Sequence, residues 1–249
     1  MITATVLTKN NEKTLRATLD SLSKFPEVIL LDSGSEDQTL EIAKEYPNVK
    51  TFTTSFLGFG PMHNYATKLA SHDWILSIDS DEVVTEPLVE EILKTKLDPE
   101  KVYALNRKNF YNGRQMRCCA GWHPDVIPRL YHRLTTSFSN DLVHEKIITK
   151  GLKTLRFHSP LLHTPYREIG DFLQKMENYS TLFAEQNKGT RTSFFEALMH
   201  SWYAFFKSYV LKRGFLGGRE ALIISIYNGH TTFYKYLKII EQTDAQGDD

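Results

Sequence analysis

Apolar positions in the first hundred residues follow two alternating periods. Residues 2–8 (Ile-Thr-Ala-Thr-Val-Leu-Thr) form a short β-rich run, which Asn10 and Asn11 break. Leu15, Leu19 and Leu22 then recur at helical spacing, which predicts an amphipathic helix over 12–24. An unbroken apolar run at 28–31 reads as a buried strand ending at Asp32-Ser33-Gly34-Ser35. A helix over 36–46 and a third strand over Val49–Thr53 follow. A turn rich in Gly and Pro (Gly58, Gly60, Pro61) precedes a helix over 62–71, and Trp74-Ile75-Leu76-Ser77-Ile78 reads as a fourth strand. Strands alternating with helices of this length imply an α/β fold whose mostly parallel sheet is covered on both faces.

The pattern changes after residue 100. Residues 102–105 and 126–133 read as strands with an aromatic and basic segment between them, and 157–163 ends the sheet region. From Ile169 onward the chain reads as helical. The expected organisation is therefore a domain over 1–165, with halves at 1–100 and 101–165, and a C-terminal helical region over 166–243. The polar tail 244–249 is expected to fray.

Composition narrows the class. At 41% hydrophobic and 24% charged, the chain is an ordinary globular sequence rather than a disordered one. Cys118 and Cys119 are adjacent, a poor disulfide and no zinc pattern, which favours a reducing compartment. The N-terminus has no basic region before an apolar run, so no signal peptide is expected. No stretch approaches the roughly 20 apolar residues of a membrane span. Net charge is zero but unevenly spread. Residues 1–100 hold 9 Lys/Arg and 17 Asp/Glu, whereas residues 101–156 hold 11 and 3. The middle block either meets something anionic or balances the acidic block before it.

Candidate chemistry collects at one edge. In parallel sheets, ligands bind beyond the carboxyl ends of the strands. Thr8, Asn10 and Glu12, then Asp32 and Ser33, then Asp79-Ser80-Asp81-Glu82 all lie at such ends. Acidic groups at a strand tip are costly unless they are solvated or bound to a cation. Alternate residues of a strand share a face, so Asp79 and Asp81 can point together and suit Mg²⁺ or Mn²⁺.

The order Thr8-x-Asn10-x-Glu12, Leu31-Asp32-Ser33-Gly34-Ser35-x-Asp37 and Asp79-x-Asp81 resembles the family 2 glycosyltransferases of the GT-A fold. Later motifs are similar to the lipopolysaccharide-core β-1,4-glucosyltransferase branch. They are Arg107-x-Asn109-x-Tyr111-x-Gly113, Gly121-Trp122-x-Pro124-Asp125, Arg129-Leu130, His144-Glu145, Leu162-His163, Asn178-Tyr179-Ser180 and Gly214-Phe215-Leu216-x-Gly218. The resemblance reaches to about residue 240 and implies an inverting, metal-dependent transfer of a hexose. UDP-glucose is the default donor, and the acceptor is the inner core of a lipopolysaccharide or lipooligosaccharide.

The resemblance implies roles for individual residues. Thr8, Asn10, Glu12, Asp32, Ser33, His63, Asn64 and Asp79 would hold the nucleotide sugar, with Asp79 toward the ribose. Asp81 would hold the divalent cation, with His163 as a second ligand. Glu145 falls where the family's general base falls, although His144-Glu145 replaces the usual Glu-Asp; Asp125 is its rival. Many relatives carry Arg where His63 stands. For Asp32-Ser33-Gly34 a plain turn with a helix cap is the bland reading.

Arg107, Tyr111, Trp122, Arg129 and His144, among other basic and aromatic residues of the middle block, suit a phosphate-bearing sugar acceptor, because aromatic faces stack on sugars and Arg grips phosphate. Zero net charge and the acidic first block argue against nucleic acid. Residues 194–238 hold 6 Lys/Arg and 2 Asp/Glu among many aromatics. That is the character of an interfacial amphipathic segment, or of a helix packed on the catalytic domain, and both can hold. The expected location is the cytoplasm, peripheral on the inner face of the cytoplasmic membrane. A phosphohydrolase using Asp79-x-Asp81 lacks its later motifs here. A non-catalytic sugar- or lipid-binding module is disfavoured by intact Asp81 and Glu145.

Overall fold

The computed structural model describes residues 1–142 and 145–244. The chain divides into two compact units, Met1–Lys108 with Val126–His163, and Asn109–Asp125 with Thr164–Asp249.

The first unit opens with β1 (Ile2–Thr8), α1 (Leu15–Ser21), β2 (Glu27–Asp32), α2 (Thr39–Lys44), β3 (Val49–Thr53), α3 (Phe59–Leu69) and β4 (Trp74–Asp79). Each element falls where the apolar period places it, with ends shifted by a few residues. β5 (Glu82–Val84) and α4 (Glu86–Lys94) follow, then β6 (Lys101–Tyr111), the two-residue β7 (Arg114–Gln115), β8 (Val126–His132) and β9 (Lys153–Tyr166). The sheet runs β3-β2-β1-β4-β8-β6-β9-β5, with β7 beside β6. β1 to β4 are mutually parallel, whereas β8 is antiparallel to β4 and to β6, and β5 is antiparallel to β9.

Two apolar clusters cover the sheet. On one side, Val6, Leu30, Leu76 and Ile78 pack with Leu15, Leu19 and Leu22. On the other, Ile29, Leu31 and Ile75 pack with Met62 and Ala66 of α3 and with Tyr131. The alternation of Leu30 and Leu31 between the two clusters is the period of a strand buried on both faces.

The second unit carries α5 (Ile169–Gln186), α6 (Phe194–Phe206) and α7 (Gly218–Asp244), with a π-helical turn at Lys207–Leu211 and a 3₁₀ turn at Gly214–Leu216. α7 packs against both α5 and α6. Asn109–Asp125 joins this unit through its own apolar residues. Tyr111, Cys119 and Trp122 are buried with Tyr166, Phe172 and Ile224. Ring contacts tie Tyr111 to Trp122 and Phe172, and Trp122 to Tyr166. Both cysteines are free thiols, and burial pushes Cys119 up to about 12, so it stays a thiol.

Candidate active site

The register fixes the edge on which the site is built. Thr8 pairs with Asp32, and Leu7 pairs with Asp79, so the ends of β1, β2 and β4 coincide. The loops beyond β1 and β2 are then stitched together. The Asn10 amide N–H donates to Ser35 Oγ at 2.8 Å, and its side-chain oxygen accepts from the Glu36 amide at 2.8 Å. The Glu12 amide donates to Asp37, and the Glu12 carboxylate accepts from the Gln38 amide, each at 3.1 Å. Asn10 adopts φ +53°, which lets one short residue bond both loops.

Asp32 is fully buried, and its carboxylate organises its own turn. One oxygen accepts from the Gly34 and Ser35 amides at 2.9 and 3.0 Å, and the other accepts from the Ser35 hydroxyl. The turn reading is therefore physically realised in this loop, and Asp32 presents no accessible oxygen to a base. Ser33 donates from its amide to the Thr8 carbonyl at 3.0 Å. Thr8 is itself buried and accepts from the Asn11 side chain.

The acidic run at the end of β4 meets two arginines and a histidine. Asp79 and Glu82 form an ion network with two arginines, of which Glu82 and Arg129 are buried and Asp79 is partly exposed. Arg129 bonds Asp79 closely and lies 3.4 Å from Glu82, while Arg107 lies 2.9 Å from Glu82 and 3.8 Å from Asp79. Glu82 also accepts the Asp79 amide at 2.9 Å. Burial is the largest single effect and works to raise the Asp79 pKa, but Arg129, Arg107 and the other groups that favour the ionised form together hold the carboxyl low. For Glu82, burial is the larger effect and pushes the pKa up. Glu82, for which the sequence indicates no role, is thus the fully buried hub of the network. Its position three residues beyond the end of β4 carries no periodic signal.

Asp81 faces His163. β5 pairs Glu82 with His163 of β9, and this register brings His163 Nε2 to 3.5 Å from Asp81 Oδ1. A carboxylate oxygen facing an imidazole nitrogen is a donor pair that suits Mn²⁺ or Mg²⁺, with the remaining positions left to substrate oxygens and water. No group of three His, Cys, Asp or Glu side chains forms a metal cage among the described residues.

Glu145 lies two residues before Ile147, which bridges Phe138 in antiparallel fashion. α3 clasps this segment. The Asn64 amide donates to the Phe138 carbonyl and accepts from the Phe138 N–H, both at 3.0 Å. The Phe59 and Gly60 amides donate to the Leu142 and Asp141 carbonyls. A Cβ on Gly60 would overlap the Ser139 carbonyl oxygen, so only glycine allows this approach. His63 is 2% exposed, stacks on Phe138 at 4.1 Å and bonds Ser77 through Nδ1. Its Nε2 lies 3.8 Å from Glu145 Oε1, beyond hydrogen-bond length. Burial depresses His63 to about 4, so it is neutral near pH 7. Burial raises the Glu145 pKa, and the charge of Asp79 adds to the effect.

Several residues expected to face a ligand are engaged elsewhere. Arg107 and Arg129 pair with Asp79 and Glu82, because burying these carboxylates demands compensating charge. Tyr111 and Trp122 are each 6% exposed, in the aromatic cluster of the second unit, where they supply core area rather than an open stacking face. Asn64 and His63 serve the Glu145 segment, and neither is a charged phosphate contact. Asp125 belongs to the second unit and accepts from Asn109 Nδ2 at 2.9 Å. His144 lies outside the described residues.

An α/β sheet with an acidic strand tip, a carboxylate–imidazole pair and a raised carboxyl at one edge defines a GT-A glycosyltransferase architecture. The match to solved members supports that fold. Staphylococcus aureus TarS, residues 1–349, aligns over 99% of this chain and 91% of that one, with TM-score 0.50 and 18% identity. A mannosyltransferase from Pyrobaculum calidifontis, solved with GDP-Man and Mn²⁺, aligns over 97% and 86%, with TM-score 0.51 and 16% identity. The family model "Glycosyl transferase family 2" matches residues 3–150, and the chain belongs to that family. It is a glycosyltransferase. An uncharacterized glycosyltransferase of Rickettsia conorii is 26% identical over 97% of this chain and 90% of its own. The lipopolysaccharide core biosynthesis glycosyltransferase LpsC of Rhizobium meliloti is 22% identical over 91% and 88%.

Proposed function

We propose that the protein moves a hexose, with inversion, from a nucleotide sugar onto the inner core of a lipopolysaccharide or lipooligosaccharide, with UDP-glucose as donor. The single observation that carries the chemistry is the partly buried carboxyl of Glu145, 3.8 Å from His63 Nε2, where burial and the charge of Asp79 act to raise its pKa. The likeness to LpsC over most of both chains supports the core acceptor. The motifs quoted above support glucose.

Glu145 takes the proton of the acceptor hydroxyl as that oxygen bonds to the anomeric carbon. The bond from this carbon to the diphosphate oxygen breaks from the opposite face, and the nucleoside diphosphate leaves with the bonding pair. A raised pKa makes Glu145 a stronger base than a solvated carboxylate. The stitched loops beyond β1 and β2, with Asn10, Glu12 and Ser33, suit the nucleoside, and Asp79 suits the ribose. Asp81 and His163 would hold a divalent cation, which when bound neutralises the charge that builds on the diphosphate. Asp125 is the alternative base. Within this reading, a lipid-linked acceptor places the enzyme at the cytoplasmic membrane surface.

A donor screen against deacylated core oligosaccharide, with linkage analysis of the product, tests the proposal. Consumption of UDP-glucose with a β-linked product supports it. Turnover of another donor only, or transfer to none of the core acceptors, sinks the assignment.

A further inference from the structure

The second unit exposes an apolar face that its own packing does not use. Along α6, Ala197, Ser201 and Phe205 recur every four residues on the side toward α7. A Cβ on Gly229 of α7 would stand 3.3 Å from the Ser201 carbonyl oxygen, and Ser201 Oγ donates to the Gly229 carbonyl at 2.9 Å. The small residues thus let the two helices approach closely. Phe195, Leu198 and Trp202 are displaced from that seam by about a quarter turn and are 71%, 44% and 59% exposed. The chain that follows exposes Leu211, Phe215 and Leu216 in the same way. Side chains of this size on open surface mark an interaction site.

The charges beside them select the partner. Residues 188–219 carry six Lys/Arg and one Asp/Glu, Glu196. Glu196 is occupied in capping α6, where its carboxylate accepts the Ser193 amide at 2.9 Å. Lys207, Lys212, Arg213 and Arg219 are all exposed. A second copy of the chain would bring two such cationic faces together and repel. A bilayer with anionic headgroups satisfies both halves of the pattern, since aromatics enter the headgroup–acyl boundary while cations meet phosphate. No described helix is long and apolar enough to cross a membrane, so the face would lie on the surface.

We propose that α6 and the turns that follow it form a docking face for an anionic lipid surface. The inference deepens the lipid-linked-acceptor reading and rests on it for its purpose, but its test requires no sugar transfer. The full chain is sedimented with vesicles of phosphatidylcholine alone and with vesicles also containing an equimolar share of phosphatidylglycerol. Binding is expected to the anionic vesicles and to weaken with salt. Trp202 is the exposed tryptophan, whereas Trp122 is buried and Trp74 half-buried, so binding should shift the emission to the blue, and Trp202→Phe should remove the shift while keeping the binding.

The double change Lys212→Ala/Arg213→Ala should weaken binding about 25-fold, from about 1 kcal/mol per cation near the surface. Phe195→Ser/Trp202→Ser should abolish it with an unchanged circular dichroism spectrum. Equal binding to both vesicle types by the folded wild-type chain overturns the proposal. So does retained binding in both double variants, or a dimer that Phe195→Ser/Trp202→Ser dissolves. Vesicle binding without transfer to any core acceptor would sink the core-acceptor assignment and support the docking face. Transfer to deacylated core without vesicle binding would do the reverse.

Discussion

Glu145 and Glu82 are both carboxylates with raised pKa, yet their surroundings set them to different work. Glu145 keeps about a fifth of its side chain exposed and pairs with no Lys or Arg among the described residues, so it can accept a proton. Glu145→Gln should lower kcat by about 10²- to 10⁴-fold while donor binding, read by calorimetry, is kept; undiminished turnover would move the base to Asp125. Because the base must be ionised, kcat/KM should fall as pH drops through the Glu145 pKa. That limb should lie above the roughly 4.3 of a free glutamate and vanish in Glu145→Gln. Glu82 is instead locked between Arg107 and Arg129. Arg129→Ala leaves the buried Glu82 carboxylate short of a partner and should cost about 3–5 kcal/mol in denaturant unfolding. Adding Glu82→Gln should recover part of that loss, and no recovery would mean that the pair is not coupled. Asp81→Ala should weaken Mn²⁺ binding by the apo-protein measured by calorimetry, and unchanged affinity would remove Asp81 from the metal site.

At the scale of elements, the parallel half of the sheet is legible because β2 carries an unbroken apolar run, β1 and β4 are rich in apolar and β-branched residues, and α1 shows a clear helical period. The three polar clusters at its edge follow from topology alone, since parallel strands end together. What the sequence conceals is pairing at a distance. β5 is three residues long beside an acidic turn, and only its antiparallel register with β9 brings His163 to Asp81. Asn64 resembles a ligand contact in the sequence, whereas its amide closes on the Phe138 backbone from 74 residues away. Asn64→Ala removes two bonds to that backbone and should cost about 1–3 kcal/mol. If the clasp positions Glu145, kcat should fall while donor KM stays fixed; a change confined to donor KM would return Asn64 to the nucleotide site.

For the whole molecule, the charge asymmetry takes on a specific meaning. Part of the basic middle block, Arg107 and Arg129, neutralises the acidic strand tip from within, which is one reason the total is zero. The exposed cations of the helical unit are a separate population. The second unit also draws on two distant stretches, because β6 and β9 each run out of the first unit into it. This has a consequence for synthesis. Residues 109–125 leave the ribosome well before Thr164–Asp249, so Tyr111 and Trp122 wait unburied until the end of the chain arrives. A protein stopped at residue 163 would never bury them. It should aggregate where the full chain stays in solution, and a monodisperse truncated product would show that the aromatic segment finds other cover. The last helices are thus the closing step of folding, and a nascent chain lacking them is a client for chaperones rather than a smaller enzyme.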